Sequence, residues 1–168
     1  MIEVLDSGFH ITIQDSGRYG FSKYGVPSSG YMDSISACNA NKLVGNSNDE
    51  AVFEITMMGG RFAFHSDTSI ATSGAIFEIT LNNKSIVNNN KIDVKKGDVL
   101  NFGKALKGFR VYLAISGGFS VNSIIVASDT CISVFSVCPA GRMCLVLVYY
   151  KPAWAHESGH AGGHSFRI

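Results

Sequence analysis

The residue types best suited to chemistry lie close together near the C-terminal end of the chain. His156, Glu157 and His160 form the H-E-x-x-H pattern of zinc proteases, and His164 follows shortly after. Zinc hydrolysis requires both histidines on one face of a helix, with the glutamate beside a metal-bound water. Three glycines lie in or just after the pattern, and each costs a helix about 0.8–1.0 kcal/mol relative to Ala. We therefore predict no metalloprotease and no metal site, and leave adventitious metal binding or an inert tail as the alternatives.

A second stretch has the composition of a phosphate-binding loop. It runs from Gly97 to Ala105 and reads G-D-V-L-N-F-G-K-A. The spacing between its glycines is one residue too long, and Ala105 lacks the hydroxyl that would bind Mg²⁺. The sequence also contains no Met-Lys-Met biotin acceptor. We predict a turn and a strand here, and no cofactor bound by this chain itself.

A long loop between Ile13 and Asp33 is the strongest candidate for a binding site. Loops of this length in compact domains are usually functional. Asp15 and Arg18 could form an ion pair that presents a planar guanidinium to a carboxylate or carbonyl group. The alternative is a structural clasp that holds the loop closed. No catalytic residue is predicted, and the candidate substrate- or partner-binding residues are Asp15, Arg18, Gly25, Pro27, Ser29, Gly30, Met32 and Asp33.

The elements that must position this loop are mostly short strands. Apolar and polar residues alternate in 10–14, 77–81 and 110–115, and short apolar runs occupy 51–56, 61–64, 68–71 and 99–102. Asn82-Asn83 and Lys96-Gly97-Asp98 are typical of turns. Many short strands at this spacing predict an antiparallel barrel or sandwich.

One helix is predicted directly after the loop. Asp33 is a suitable N-cap, residues 34–44 contain no Gly or Pro, and Gly45 suits a left-handed C-cap. The side chains predicted to share its buried face are Ile35, Cys38 and Leu43.

Composition excludes several function classes. The formal net charge is +1 and 46% of residues are hydrophobic, which predicts a core but no basic face for nucleic acid. The N-terminus has no signal-peptide pattern, and the longest apolar run is too short to span a bilayer. We expect a cytoplasmic protein with free or buried thiols at Cys38, Cys131, Cys138 and Cys144.

Composition also changes along the chain. Residues 131–168 hold three of the four cysteines, the single Trp and no Asn, whereas asparagine is frequent before residue 131. We predict an N-terminal unit over 1–120 and a divergent segment over 121–168, of which 151–168 is expected to be weakly ordered. A truncation or a change of reading frame would explain the divergence.

Several collinear motifs resemble one known family. They are Q-D-S-G-R-Y-G from Gln14, G-V-P-S-S-G-Y-M-D from Gly25, A-N-K-L-V-G-N from Ala40, F-E-I-T from Phe53 and Y-L-A-I-S-G-G from Tyr112. Together they resemble the N-terminal half of the carboxyltransferase A/B family. That family includes the C-type subunit of 5-oxoprolinase, allophanate hydrolase subunit 2, the matching domain of urea carboxylase and the sporulation antikinase antagonist.

The resemblance implies a mainly β fold, a cyclophilin-like antiparallel β-barrel with one or two short helices. It implies a cytoplasmic bacterial component of a 5-oxoprolinase, which opens 5-oxoproline to L-glutamate with ATP, or of a biotin-dependent carboxyltransferase. ATP would then be used by the assembled complex. The implied partners are the homologous B-type subunit and a third 5-oxoprolinase subunit, with no nucleic acid and no membrane. We expect the chain to be inactive alone and either to self-associate or to need a partner. The alternative is a non-catalytic regulator that binds a homologous partner.

Overall fold

The computed structural model of the protein describes residues 2–6, 8–17, 19–20, 22–24, 28–120 and 143–144. Its strands are β1 Ile2–Asp6, β2 His10–Gln14, β3 Val52–Thr56, β4 Arg61–Phe64, β5 Thr68–Leu81, β6 Lys84–Ser85, β7 Lys91–Val94, β8 Val99–Ile115, β9 Phe119–Ser120 and β10 Met143–Cys144. The helix α1 spans Ser34–Val44, and a single 3₁₀ turn spans Ser22–Tyr24.

The long strand β8 is the centre of an eight-stranded antiparallel sheet. Its first residues pair with β4 and its last residues pair with β3, while β5 pairs along its other side. β2 extends the sheet beyond β3, β1 extends it beyond β4, and β6 and β7 pair with β5. The sheet curls around a core of large apolar side chains, which include Phe53, Phe62 and Phe102. The fold is therefore mainly β, with one α-helix, as the resemblance predicted.

The opposite face of the sheet is covered by α1. The helix buries three small or apolar side chains against this outer face: Ala37, Ala40 and Val44. They form one cluster with Ala71 and Tyr112 of the sheet. The predicted N-cap and C-cap are confirmed, since Asp33 accepts from the Ser36 N–H and Gly45 adopts φ 80°.

The prediction for the buried face of the helix was wrong for Ile35 and right in part for Leu43, which packs against the same cluster as the helix alanines. Ile35 is 74% exposed, and Cys38 and Leu43 are only partly buried. Small alanines face the sheet instead, because they allow the helix backbone to approach the strands closely.

The predicted strands are confirmed, but two pairs of them are continuous. Residues 68–71 and 77–81 belong to the single strand β5, and residues 99–102 and 110–115 belong to β8. Register shifts near Gly74 and Ile76 let both strands bend without ending. The Asn82-Asn83 turn has positive φ at both residues, as that hairpin requires.

Several predictions concern residues outside the described part of the chain. They include the H-E-x-x-H pattern, the weakly ordered segment 151–168, and the thiols of Cys131 and Cys138. Cys38 is a free thiol whose sulfur lies 3.7 Å from the Asn48 carbonyl oxygen. In the ranges described, no helix has the length and hydropathy needed to cross a membrane, and the cytoplasmic location stays a prediction.

Candidate functional site

A row of polar side chains crosses four strands on the outer face of the sheet. Thr12 of β2 pairs with Glu54 of β3, Glu54 with Tyr112 of β8, and Tyr112 with Ser73 of β5. All four residues are buried. Buried polar groups need hydrogen-bond partners, so the contacts of this row define what the site can do.

Glu54 is the centre of this row. Its Oε2 accepts hydrogen bonds from the backbone N–H of Met32 and from the Tyr112 hydroxyl, both at 2.9 Å. Its Oε1 lies 3.0 Å from Nε of Arg110. The Nε–H is not directed at that oxygen, so the contact is an ion pair without a hydrogen bond. One buried carboxylate thus holds the end of the loop, the phenol and the guanidinium together.

Tyr112 connects the sheet to the start of the helix. Its hydroxyl donates to Glu54 and accepts a hydrogen bond from the backbone N–H of Asp33 at 2.8 Å. Burial, together with the adjacent Glu54 carboxylate, raises the pKa of Tyr112 well above its ordinary value. The phenol therefore stays protonated and remains a donor to Glu54 throughout the physiological pH range.

A second row lies beside the first on the same face. His10 of β2 pairs with Thr56 of β3, and Thr56 pairs with Arg110 of β8. His10 is exposed, Thr56 is buried, and the Arg110 side chain is 30% exposed. Cζ of Arg110 lies 5.3 Å from the centre of the Phe109 ring, within cation–π range. The row therefore presents two nitrogen-bearing side chains on either side of a hydroxyl.

The two ends of the long loop are held against each other by their backbones. The Tyr31 N–H donates to the Asp15 carbonyl at 3.0 Å, and the Asp15 carboxylate accepts from the Gly17 N–H at 2.7 Å. Glycine is required here: a Cβ on Gly17 would lie 2.6 Å from the Ser29 carbonyl oxygen, and one on Gly30 would lie 2.8 Å from Gly17 N. The neck formed by residues 15–17 and 29–31 thus fixes the base of the loop beside Glu54.

Tyr31 fastens this neck to the segment after the helix. Its hydroxyl donates to the Glu50 carbonyl at 2.8 Å, and its ring packs edge-on against Tyr112 with centres 6.5 Å apart. Burial raises the pKa of Tyr31 above its ordinary value. The phenol is therefore a stable donor that ties the loop to the chain near Glu50.

The described members of the predicted site fall into two groups. Asp15, Ser29 and Gly30 form the neck, while Met32 and Asp33 lead into the helix and contact Glu54 and Tyr112 through their backbone N–H groups. Arg18, Gly25 and Pro27 lie outside the described residues. The predicted Asp15–Arg18 pair therefore stays a prediction, and the described carboxylate of Asp15 is engaged by Gly17.

Sequence reasoning assigned no role to Glu54, Arg110 or Tyr112. A signal was present, because Glu54 and Arg110 are charged residues within strands whose other residues are largely apolar or hydroxylated. Only the register between β3 and β8 reveals that the two charges lie together on one face. In the described ranges, no group of His, Cys, Asp and Glu is arranged to hold a metal ion.

The sequence of this chain matches one known family of domains. The profile of the carboxyltransferase domain, subdomain A and B, matches residues 24–137. The chain therefore belongs to this family. The match extends past residue 120, and the domain boundary placed there stays a prediction.

Several proteins and one crystal structure are similar to this chain over most of its length. Urea amidolyase of Lachancea kluyveri is 43% identical over 129 residues, which are 76% of this chain and 7% of that protein. The C-type subunit of 5-oxoprolinase from Haemophilus influenzae is 32% identical over 130 residues, which are 77% of this chain and 42% of that protein. The crystal structure of Kluyveromyces lactis urea carboxylase superimposes with a TM-score of 0.73 at 40% identity, over 76% of this chain and 12% of that one. The chain thus spans less than half the length of these relatives.

Proposed function

We propose that this chain is the first half of a carboxyltransferase domain of the urea carboxylase type, in which a carboxyl group passes from carboxybiotin to urea. The observation that carries the proposal is that sequence identity is higher to a urea amidolyase than to a 5-oxoprolinase subunit. Identity is 43% to a urea amidolyase over 129 residues and 32% to a C-type 5-oxoprolinase subunit over 130 residues. Because substrate choice depends on individual residues of a site, we infer the substrate from the relative with the higher sequence identity.

The geometry of the tethered loop supports this proposal. Carboxyl transfer needs acceptor and donor held in a fixed mutual position, since a misplacement of about 1 Å can cost roughly 10²-fold in rate. Glu54 and Tyr112 fix the backbone at Met32 and Asp33, and the neck fixes the other end of the loop at Asp15. The base of the loop is therefore positioned before any substrate arrives.

Exposed apolar side chains support the inference that this chain works in contact with other domains or subunits. Met57 and Leu106 are 43% and 64% exposed, and Phe109 is 50% exposed. The segments that carry them are adjacent, because the Met57 N–H donates to the Phe109 carbonyl and the Met57 carbonyl accepts from the N–H of Ala105, which precedes Leu106. Clusters of exposed apolar residues mark interaction surfaces. We infer that the chain acts as part of a larger assembly and is inactive alone.

Two exchange experiments test this proposal. In the first, the 129 aligned residues of Lachancea kluyveri urea amidolyase are replaced by those of this chain, and urea-dependent loss of carboxybiotin is measured. In the second, the 130 aligned residues of the Haemophilus influenzae 5-oxoprolinase subunit are replaced, and 5-oxoproline-dependent ATP hydrolysis is measured with its partner subunits present. The unmodified hosts and hosts lacking the segment are the controls.

We expect activity in the urea host and little or none in the 5-oxoprolinase host. Activity confined to the 5-oxoprolinase host would overturn the choice of substrate and support assignment to the 5-oxoprolinase branch. Folded chimeras without activity in either host would instead favour a non-catalytic regulator that binds a homologous partner.

A further inference from the structure

We propose that Arg110, Thr56 and His10 form a binding site for a planar oxyanion of the carboxylate class. The three side chains are neighbours in one row across β8, β3 and β2. Adjacent positions in such a row have Cβ atoms about 4.5–5.5 Å apart, which is a separation that one carboxylate group can bridge. The inference rests on the proposed function only in that the anion would then be the carboxyl group being transferred, since urea itself carries no carboxylate.

Arg110 supplies the positive charge of the site and a planar set of hydrogen-bond donors. Its Nε lies 3.0 Å from Oε1 of Glu54 without an aligned hydrogen bond, so charge holds the side chain at the site but leaves it able to reorient. The side chain remains 30% exposed, so a ligand in solvent can reach it. A guanidinium offers five N–H donors in a planar fork that matches a carboxylate. Glu54 shares its own negative charge with the Met32 N–H and the Tyr112 hydroxyl, which reduces its repulsion of an arriving anion.

Thr56 supplies the observation that points to a ligand. It is only 4% exposed, and its hydroxyl has no hydrogen-bond partner among the residues the structure describes. Leaving a buried polar group unpaired destabilises the folded state. Other buried threonines of this sheet are paired: the Thr72 hydroxyl donates to Asn88, and the Thr12 hydroxyl accepts from Gln14. An oxyanion beside Arg110 would accept the Thr56 hydrogen bond and remove that destabilisation.

His10 forms the open end of the site. It is exposed and lies on the far side of Thr56 from Arg110. A neutral imidazole can donate one N–H to an oxygen, so an anion above Thr56 would have a donor on each side. Because the Thr56 hydroxyl is shielded from solvent, we expect the Arg110 side chain to shift when the anion enters.

Binding is measured directly on the full chain by nitrogen-15 NMR. The signals followed are the Nε–H group of Arg110 and the backbone amides of Thr56 and Met32. The probes are bicarbonate, 5-oxoproline and urea, with chloride and sulfate at matched ionic strength as non-planar controls. We expect saturable shifts with bicarbonate or 5-oxoproline and none with urea. Bicarbonate alone would assign the site to the transferred carboxyl. 5-Oxoproline alone would assign it to the carboxylate of a 5-oxoproline-type substrate and would count against urea as the acceptor.

Three variants locate the site. Arg110→Lys keeps the charge but loses the planar fork, and should weaken binding at least about tenfold. Thr56→Val keeps the side-chain shape and removes the unpaired hydroxyl, so it should weaken binding while the melting temperature stays equal or rises. Arg61→Lys, at an exposed position of β4, is the matched control and should bind like the unmodified chain. Amide spectra establish that each variant is folded.

The proposal is overturned if neither carboxylate probe gives saturable shifts, if chloride or sulfate gives the same shifts, or if folded Thr56→Val binds like the unmodified chain. Should Arg110→Lys not fold, Thr56→Val still decides the outcome. The NMR titration measures binding of the anion and does not depend on catalysis. Failure of the exchange experiments with a positive titration would therefore reject the proposed function and leave the anion site standing.

Discussion

The hydroxyl of Tyr112, in the second half of β8, accepts a hydrogen bond from the backbone N–H of Asp33 at 2.8 Å. Because Asp33 is the N-cap of α1, a side chain of the sheet determines where the helix begins. The same hydroxyl donates to Glu54. The start of the helix, the end of the loop and the buried carboxylate are thus coupled through one oxygen atom.

Tyr112→Phe should lower the free energy of unfolding by about 1–3 kcal/mol, since it leaves the Asp33 N–H and one Glu54 lone pair without their buried partner. The ring itself is retained, so no cavity forms. Urea denaturation gives the change. Tyr19→Phe, at a 78% exposed position, is the control and should stay within about 0.5 kcal/mol. Equal stability of the Tyr112 and Tyr19 variants would show that the coupling contributes nothing.

Alkaline pH should destabilise the protein through the same residue. The pKa of Tyr112 is raised in the folded state by burial, above its ordinary value of 10.0, so between the two values the unfolded chain has lost a proton that the folded chain keeps. Stability is therefore complete below pH 10 and falls as the pH rises toward the folded-state pKa. Tyr31, whose pKa is also raised by burial, should add to the effect. Melting temperatures above pH 10 should fall less steeply in a Tyr31→Phe, Tyr112→Phe double variant, and an unchanged slope would contradict the assignment.

Glu54→Ala should be among the most destabilising single substitutions in the site. It removes the acceptor of the Met32 N–H and the Tyr112 hydroxyl and leaves Arg110 without its partner. Removing one member of a buried ion pair costs about 3–5 kcal/mol. Because the Arg110 side chain is 30% exposed and water can solvate it, we expect a loss near the lower end of that range. Chemical denaturation measures it against Glu78→Ala, an exposed glutamate of β5. Comparable losses for the two variants would argue against a central role for Glu54.

Gly30→Ala should open the neck of the loop. A new Cβ would lie 2.8 Å from Gly17 N, and the backbone φ of 95° adds strain. Gly97→Ala is a matched control, because Gly97 has φ 94° but no atom within 4 Å of its added Cβ. The control should lose about 1 kcal/mol through φ strain alone, and Gly30→Ala should lose clearly more. Equal melting temperatures would mean that the neck can relax without cost.

Asp33→Ala should lower stability by about 0.5–2 kcal/mol, the usual loss for a helix N-cap. The Ser36 hydroxyl and N–H hydrogen-bond the Asp33 carboxylate and hold its pKa below 3.8, its ordinary value. The cap therefore stabilises the protein above pH 3.8, and that stability is lost as the pH falls through the lower folded-state pKa. Thermal melts from neutral to acid pH should show the difference between Asp33→Ala and the unmodified chain shrinking at low pH. Asp49→Ala, at an exposed position, is the control at neutral pH and should stay within about 0.5 kcal/mol of the unmodified chain.

Local patterns in the sequence determined the strands, the turns and the helix ends. Alternation places Ile11 and Ile13 on the core face, and Asp33 and Gly45 mark the helix. These features depend on residues only a few positions apart, so the sequence displays them directly. The family motifs, which are equally local, predicted the fold as well.

The buried face of the helix and the contents of the site were decided only by the tertiary structure. Ile35 is exposed because α1 approaches the sheet through alanines, and that distance depends on strands far away in sequence. Glu54 and Arg110 lie 56 positions apart, and only the register of β3 with β8 brings their charges within 3.0 Å. The sequence by itself thus determined which elements form, whereas strand register, which is set by packing over the whole sheet, decided which side chains meet.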